Sequence, residues 1–331
     1  MNGAEPNIEI FTPFGKAFEL MKKILFQPFD LKKWFIIGFA AWLANLGGGG
    51  GGFNYQFNSH DDVQKINDAV SQIPHPILVL GVSLLILFVL TAIVVVAWLR
   101  ARGSFMFIDC IVKNRAAIAE PWREFRKQGN SYFLFSLAIT FVFVIFAALL
   151  ALPLIILAIK GRYDLHLQHD RLDIYEVLAI AGWVFVILLM IIVWALVATF
   201  MVPVMYSRRC RAYEAFCSVL SLIAAHPGEI LLYCLFLIVL AIATGLVSCL
   251  AICATCCVAA LPYIGTVILL PVFILFRSFS LVFLRQFGQG YDVWMDFVPP
   301  EFLPVLSGAP LAPPPAPSPN PPPEAPSSST T

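Results

Sequence analysis

The sequence predicts an all-α membrane protein with six transmembrane helices, arranged as three parallel repeats of an interfacial helix and a transmembrane hairpin. Three observations lead there: an apolar composition, charge-free runs long enough to cross a bilayer, and basic residues gathered in alternate connections. Of 331 residues, 60% are hydrophobic and 12% charged, with a net charge of +1. Soluble domains carry about a quarter charged residues, so this chain lacks the polar surface needed to cover its own apolar content. The first ~30 residues mix Lys, Glu, Pro and Phe, without the apolar core and small-residue cleavage site of a secretory signal.

A spanning helix needs roughly 20 apolar residues to cross ~30 Å of hydrocarbon. Residues 76–99, 132–159, 177–206 and 230–257 meet that length. Two shorter runs, 31–46 and 261–284, complete the expected six within a transmembrane domain over 31–298. The first of these starts on Lys32 and Lys33, which can snorkel to the interface, and ends in six glycines, Gly47 to Gly52. The sixth contains Arg277, a candidate intramembrane charge unless the helix ends there and an interfacial helix begins at Ser278. Residues 1–30 are expected to form a cytoplasmic segment with an amphipathic helix. Thirteen of the 24 prolines lie from Pro299 onward, which predicts a disordered cytoplasmic tail over 299–331.

Orientation follows from Lys and Arg. Lys16, Lys22, Lys23, Lys32 and Lys33 precede the first helix or open it. Arg100, Arg102, Lys113, Arg115, Arg123, Arg126 and Lys127 occupy the second connection; Arg208, Arg209 and Arg211 the fourth; Arg277 and Arg285 the end of the sixth helix. These are 17 of the 21 basic residues, the others being Lys65, Lys160, Arg162 and Arg171. The positive-inside bias places the crowded side, and both termini, in the cytoplasm.

The repeat has a local signature. Trp34, Tyr132 and Tyr233 open the odd-numbered helices, behind turn residues that include the expected N-caps Asp30 and Asn130. An amphipathic stretch precedes each: Phe14, Phe18, Met21 and Leu25; Phe105, Ile108 and Val112, with Asp109 and Lys113 as an i,i+4 pair; and Tyr213, Phe216, Leu220 and Ile223. Trp34, Trp98, Trp122, Tyr132 and Tyr206 fall where an aromatic belt belongs.

Candidate sites are few. Ala241, Gly245, Cys249, Cys253 and Cys257 recur every fourth residue, which reads as a small-residue ridge for helix packing and not as a metal site. His166 and His169 read as solvated loop residues. The spans of the second to fifth helices hold no titratable charge, and no hydrolase, zinc or nucleotide motif occurs. No catalytic activity, metal, cofactor or nucleic-acid partner is therefore expected. The basic residues Lys22, Lys23, Lys32, Lys33, Arg100, Arg102, Arg123, Arg126, Lys127, Arg208, Arg209 and Arg211 point to topology determination and to membrane lipids, anionic ones above all, as partners. A second copy of the chain, or another membrane protein, is an open partner. The function these features suggest is membrane or envelope organisation. The alternative is transport of a small or amphiphilic solute past Thr91, Thr140, Thr199, Thr244 and Ser248.

The run from Phe26 through Pro28, Phe29, Asp30, Leu31 and Trp34, then Gly38 to Leu43 and the glycines, resembles the opening of an uncharacterised family of prokaryotic multi-pass membrane proteins. Pro121, Trp122, Phe125, Tyr132 and Phe133 are similar to its middle region, and the resemblance covers about residues 10–298. More loosely, the arrangement is similar to the membrane domain attached to some glycerophosphodiester phosphodiesterases. The resemblance implies a bacterial cytoplasmic (inner) membrane and an open function, and carries over no site residue.

Overall fold

The computed structural model describes residues 9–46, 74–163, 174–255 and 261–295, together with 297, 300 and 303. Every regular element among them is helical: α1 (Phe11–Phe26), α2 (Leu31–Ala44), α3 (His75–Val112), α4 (Ala119–Glu124), α5 (Arg126–Tyr163), α6 (Ile174–Arg208), α7 (Ala212–Ala225), α8 (Pro227–Ala254), α9 (Pro262–Ile268) and α10 (Leu270–Arg285). A 3₁₀ turn, Gln289–Tyr291, follows.

Four of these, α3, α5, α6 and α8, are long and apolar enough to cross a membrane. Each has a bare apolar stretch and a packed end. Ile77 to Val95 of α3, Leu134 to Leu152 of α5, Val177 to Val193 of α6 and Leu231 to Leu250 of α8 present exposed Leu, Ile, Val and Phe side chains along their length. In water that much apolar surface would be unstable; in hydrocarbon it costs nothing. The hydroxyls on these stretches are satisfied locally. Thr91 donates to the Leu87 carbonyl and Thr140 to that of Ser136, each at 2.8 Å. Such back-bonding hides the hydroxyl from the surroundings.

The packed ends gather with α1, α2, α7 and α10 into one core, the charged pole of the molecule. Here the helices run past the expected boundaries. α3 extends to Val112 because no proline interrupts Leu99 to Val112, so the second interfacial helix is its continuation. Phe105, Met106, Phe107, Ile108, Cys110, Ile111 and Val112 are buried almost all round, not on one side. α5 likewise starts at Arg126, which puts Asn130 inside the helix and not at its N-cap. Asp30 does cap α2, accepting from the Lys32 amide at 2.8 Å.

The two short segments differ from continuous spans. α2 covers only Leu31–Ala44 and lies beside the charged half of α3. At the rise of an α-helix that is about 21 Å, short of the hydrocarbon thickness. The last segment divides at Leu269 into α9 and α10, because Pro271 has no N–H for the Val267 carbonyl. The indole Nε1 of Trp34 donates to that freed carbonyl at 2.8 Å, tying α2 to the break. α10 then runs unbroken through Arg277 to Arg285, so no new helix starts at Ser278.

Gly103 of α3 lies close against the backbone at the end of α2. A Cβ there would lie 2.7 Å from the Leu43 carbonyl carbon and 2.8 Å from the Ala44 nitrogen. At Gly38 the close contact of a Cβ would be Val267 Cγ2, at 2.8 Å. Backbone cannot yield as a rotamer can. Gly103→Ala is therefore expected to cost about 1–3 kcal/mol and Gly38→Ala less, as read from thermal unfolding of the full chain in detergent. Equal losses would contradict this packing.

Candidate functional site

The charged pole holds its cations in two arrangements. Farther from the bare stretches lies a hub around Asp109, whose side chain is 0% exposed. Its Oδ1 accepts from the Tyr206 hydroxyl at 2.9 Å and from Lys113 Nζ at 2.8 Å, while Oδ2 accepts from Arg115 Nη2 at 3.1 Å. Arg115 also reaches Glu120 at 2.7 Å; Glu124 accepts from Lys113 at 3.2 Å and from Arg209. Phe105, Phe125 and Tyr206 stack in series, and the Arg209 guanidinium lies 4.1 Å from the centre of the middle ring, Phe125. A cation over a ring face is attracted by the ring quadrupole. The i,i+4 pair of Asp109 and Lys113 was legible; the partners from α6 and beyond were not.

Burial opposes the charge on Glu124, but hydrogen bonds from Arg209 and Lys113 outweigh it and hold its carboxyl below the usual range. Such a group lends stability that is fully present above the unfolded value of about 4.3 and is lost as pH falls through the folded one. Glu124→Gln is expected to flatten the acid limb of a thermal-stability profile. An unchanged limb would show that the carboxylate contributes nothing.

A second tie holds the segment after α10. Arg285 Nε donates to Asp292 Oδ2 at 2.8 Å with both side chains only 7% exposed, and Asp292 Oδ1 accepts from the Trp294 amide at 2.9 Å. Beside it Arg208 donates to the Gly290 carbonyl at 2.8 Å and to Ser218 Oγ at 3.2 Å, under the Tyr291 ring. Arg208, Arg209, Gln289 and Gly290 line a cavity of about 200 Å³.

Nearer the bare stretches the arrangement changes. Arg102 is 8% exposed, and its guanidinium lies 4.7 Å from the Trp98 ring and 4.8 Å from the Trp122 ring. Its Nε and Nη2 donate to Asn130 Oδ1 at 3.3 and 3.2 Å, which also accepts from Trp98 Nε1. Arg277 donates to the Thr199 carbonyl at 3.4 Å, a group left without a helical donor because Pro203 lacks an N–H. Arg100 is exposed. None of these three has an acidic partner among the described residues. That difference from the Asp109 hub could not be seen in the sequence.

The remaining candidates are dispersed. Lys22 is exposed on α1 and Lys23 half-buried there; Lys33 donates to Asn114 Oδ1 at 2.8 Å; Lys32, Arg123, Arg126, Lys127 and Arg211 lie exposed along the pole. Ala241, Gly245, Cys249 and Cys253 do not pack within the described part of the chain: all four are exposed, and nothing lies within 4 Å of a Cβ at Gly245. A small-residue ridge marks close approach only where a partner is present, and α8 has almost none. α7 buries Ala212, Ala215, Val219 and Leu222, leaving Tyr213 and Leu220 of the expected apolar face exposed. Cys257, His166, His169, Lys65, Arg171, the six glycines and the proline-rich run from 304 lie outside the described residues. Among the described residues no group of three metal-ligating side chains converges.

Long apolar helices rooted in one charged pole define a multi-pass membrane protein. The profile of a family of unknown function, DUF7544, matches residues 9–294, and the chain belongs to that family. No curated protein and no solved structure matches it.

Proposed function

We propose that this protein is a non-catalytic organiser of a bacterial inner membrane, with its charged pole on the cytoplasmic side and anionic phospholipids as its partners. The observation that carries this is that the arginines beside the bare stretches meet no acid among the described residues, whereas several deeper in the pole do; Arg208, held by a carbonyl and a hydroxyl, is an exception there. Lys113, Arg115, Arg209 and Arg285 have acids within the chain. Arg100, Arg102 and Arg277, next to the bare stretches, have none among the described residues. A lipid phosphate is the anion available at that depth, and each cation near an anionic surface contributes about 1 kcal/mol. Trp98 and Trp122 at the same level suit the headgroup region. The six-crossing topology with both termini cytoplasmic, in which α2 and the α9–α10 unit complete three parallel hairpins, is supported by the one-sided distribution of Lys and Arg.

The test is thermal stability of the full chain in nanodiscs of phosphatidylcholine alone and of phosphatidylcholine with phosphatidylglycerol. The anionic bilayer is expected to raise Tm, and added salt to erode the exposed part of that gain. Equal Tm values in the two bilayers would overturn the lipid assignment.

A further inference from the structure

We infer that the niche formed by Trp98, Arg102, Trp122 and Asn130, with Arg126 at its rim, binds the phosphate of one anionic phospholipid. The inference rests on the proposed placement of the charged pole at a lipid surface, and it names a site where that placement alone predicts only diffuse attraction.

A guanidinium buried without a carboxylate is costly unless something else meets its charge. Two indole faces and one amide oxygen meet part of it, and they leave Nη1 without a hydrogen-bond partner among the described residues. Arg126 lies one turn before Asn130 on the same side of α5, so it brings a like charge toward Arg102 where an opposite one would be expected. Positive charge thus gathers on an arginine that no acid among the described residues neutralises. Arg102 is also held in place: a Cβ at Gly129 would lie 3.1 Å from its Cγ, so the glycine lets α5 close on the arginine stem. A stacked guanidinium with a fixed plane and a free edge suits two oxygens of a phosphate, a geometry that lysine cannot reproduce.

The position selects a lipid over a soluble anion. The exposed apolar run of α3 ends at Val95, one turn before Trp98 and two before Arg102. A phosphodiester whose acyl chains lie along that run would meet the niche from the bilayer side, while inorganic phosphate would leave the run uncovered.

Native mass spectrometry of the full chain, released from neutral detergent and titrated with phosphatidylglycerol or phosphatidylcholine, tests this. Phosphatidylglycerol is expected to bind at one site per chain, about tenfold more tightly than phosphatidylcholine. Arg102→Gln and Arg102→Lys should each remove most of that preference, and Arg126→Gln should weaken it severalfold, while Arg211→Gln should leave it unchanged. Arg126 is exposed, so its variant keeps the test intact if Arg102→Gln fails to fold. Preference retained in both Arg102→Lys and Arg126→Gln would overturn the niche and leave the proposed function standing. Loss of the preference in the unaltered chain would remove both. Displacement of the lipid by millimolar inorganic phosphate would overturn the choice of a lipid ligand.

Discussion

Asp109→Ala is expected to be among the most damaging single substitutions in the chain, lowering stability by about 3–5 kcal/mol. The carboxylate is fully buried and receives Lys113, Arg115 and the Tyr206 hydroxyl, so its removal takes the buried acceptor from the phenol and leaves each cation with a single, more exposed acid, Glu124 or Glu120. Truncating one member of a buried ionic cluster costs more than the cluster contributes, because the desolvated partners remain. Asp109→Asn keeps the shape and one acceptor oxygen, and should lose less. Thermal unfolding of the full chain in one detergent measures both. A loss below about 1 kcal/mol for the alanine variant would mean that water already solvates the hub.

Asp292→Ala should rank beside it, again at about 3–5 kcal/mol, for a related reason with a different readout. Arg285 and Trp294 would both lose a buried partner, and Trp294 is almost wholly enclosed. Because Asp292 lies in the segment beyond α10, the first consequence is release of that segment and not loss of the helices. Faster proteolysis near Trp294 with helical circular dichroism unchanged at low temperature is the expected pattern. Glu19→Ala, at an exposed position of α1, serves as control. Surface substitutions of that kind stay within about 0.5 kcal/mol of the unaltered chain.

The parts of this architecture that were legible in the sequence depend on local chemistry. Charge-free runs such as Pro76 to Leu99 announce a spanning helix because length and apolarity are properties of the run itself. Asp30 as a cap and the Asp109–Lys113 spacing are legible for the same reason. Helix ends were less visible. The change from apolar to basic at Arg100 marks a change of solvent, not of conformation, and α3 continues through it. Pro203 and Pro271 foretell freed carbonyls, but nothing local says that Arg277 and Trp34 will take them. The same limit hid Tyr206 as a partner of Asp109, far away along the chain. On α7 the buried face, Ala212, Ala215, Val219 and Leu222, is turned from the expected one, of which Phe216 and Ile223 pack at its margin and Tyr213 and Leu220 stay exposed.

The placement of the bare helical stretches in hydrocarbon is most directly tested by labelling single cysteines, introduced after replacement of the eight native ones, in membrane-embedded protein. Leu85→Cys, Val144→Cys, Leu188→Cys and Ile242→Cys should resist a water-soluble maleimide and react with a lipid-soluble one. Arg123→Cys and Arg211→Cys should react with the water-soluble reagent only when the cytoplasmic face is opened to it. Ready labelling of the first group by the polar reagent, or of Arg123→Cys and Arg211→Cys from opposite faces, would contradict a bundle whose charged pole meets a single leaflet.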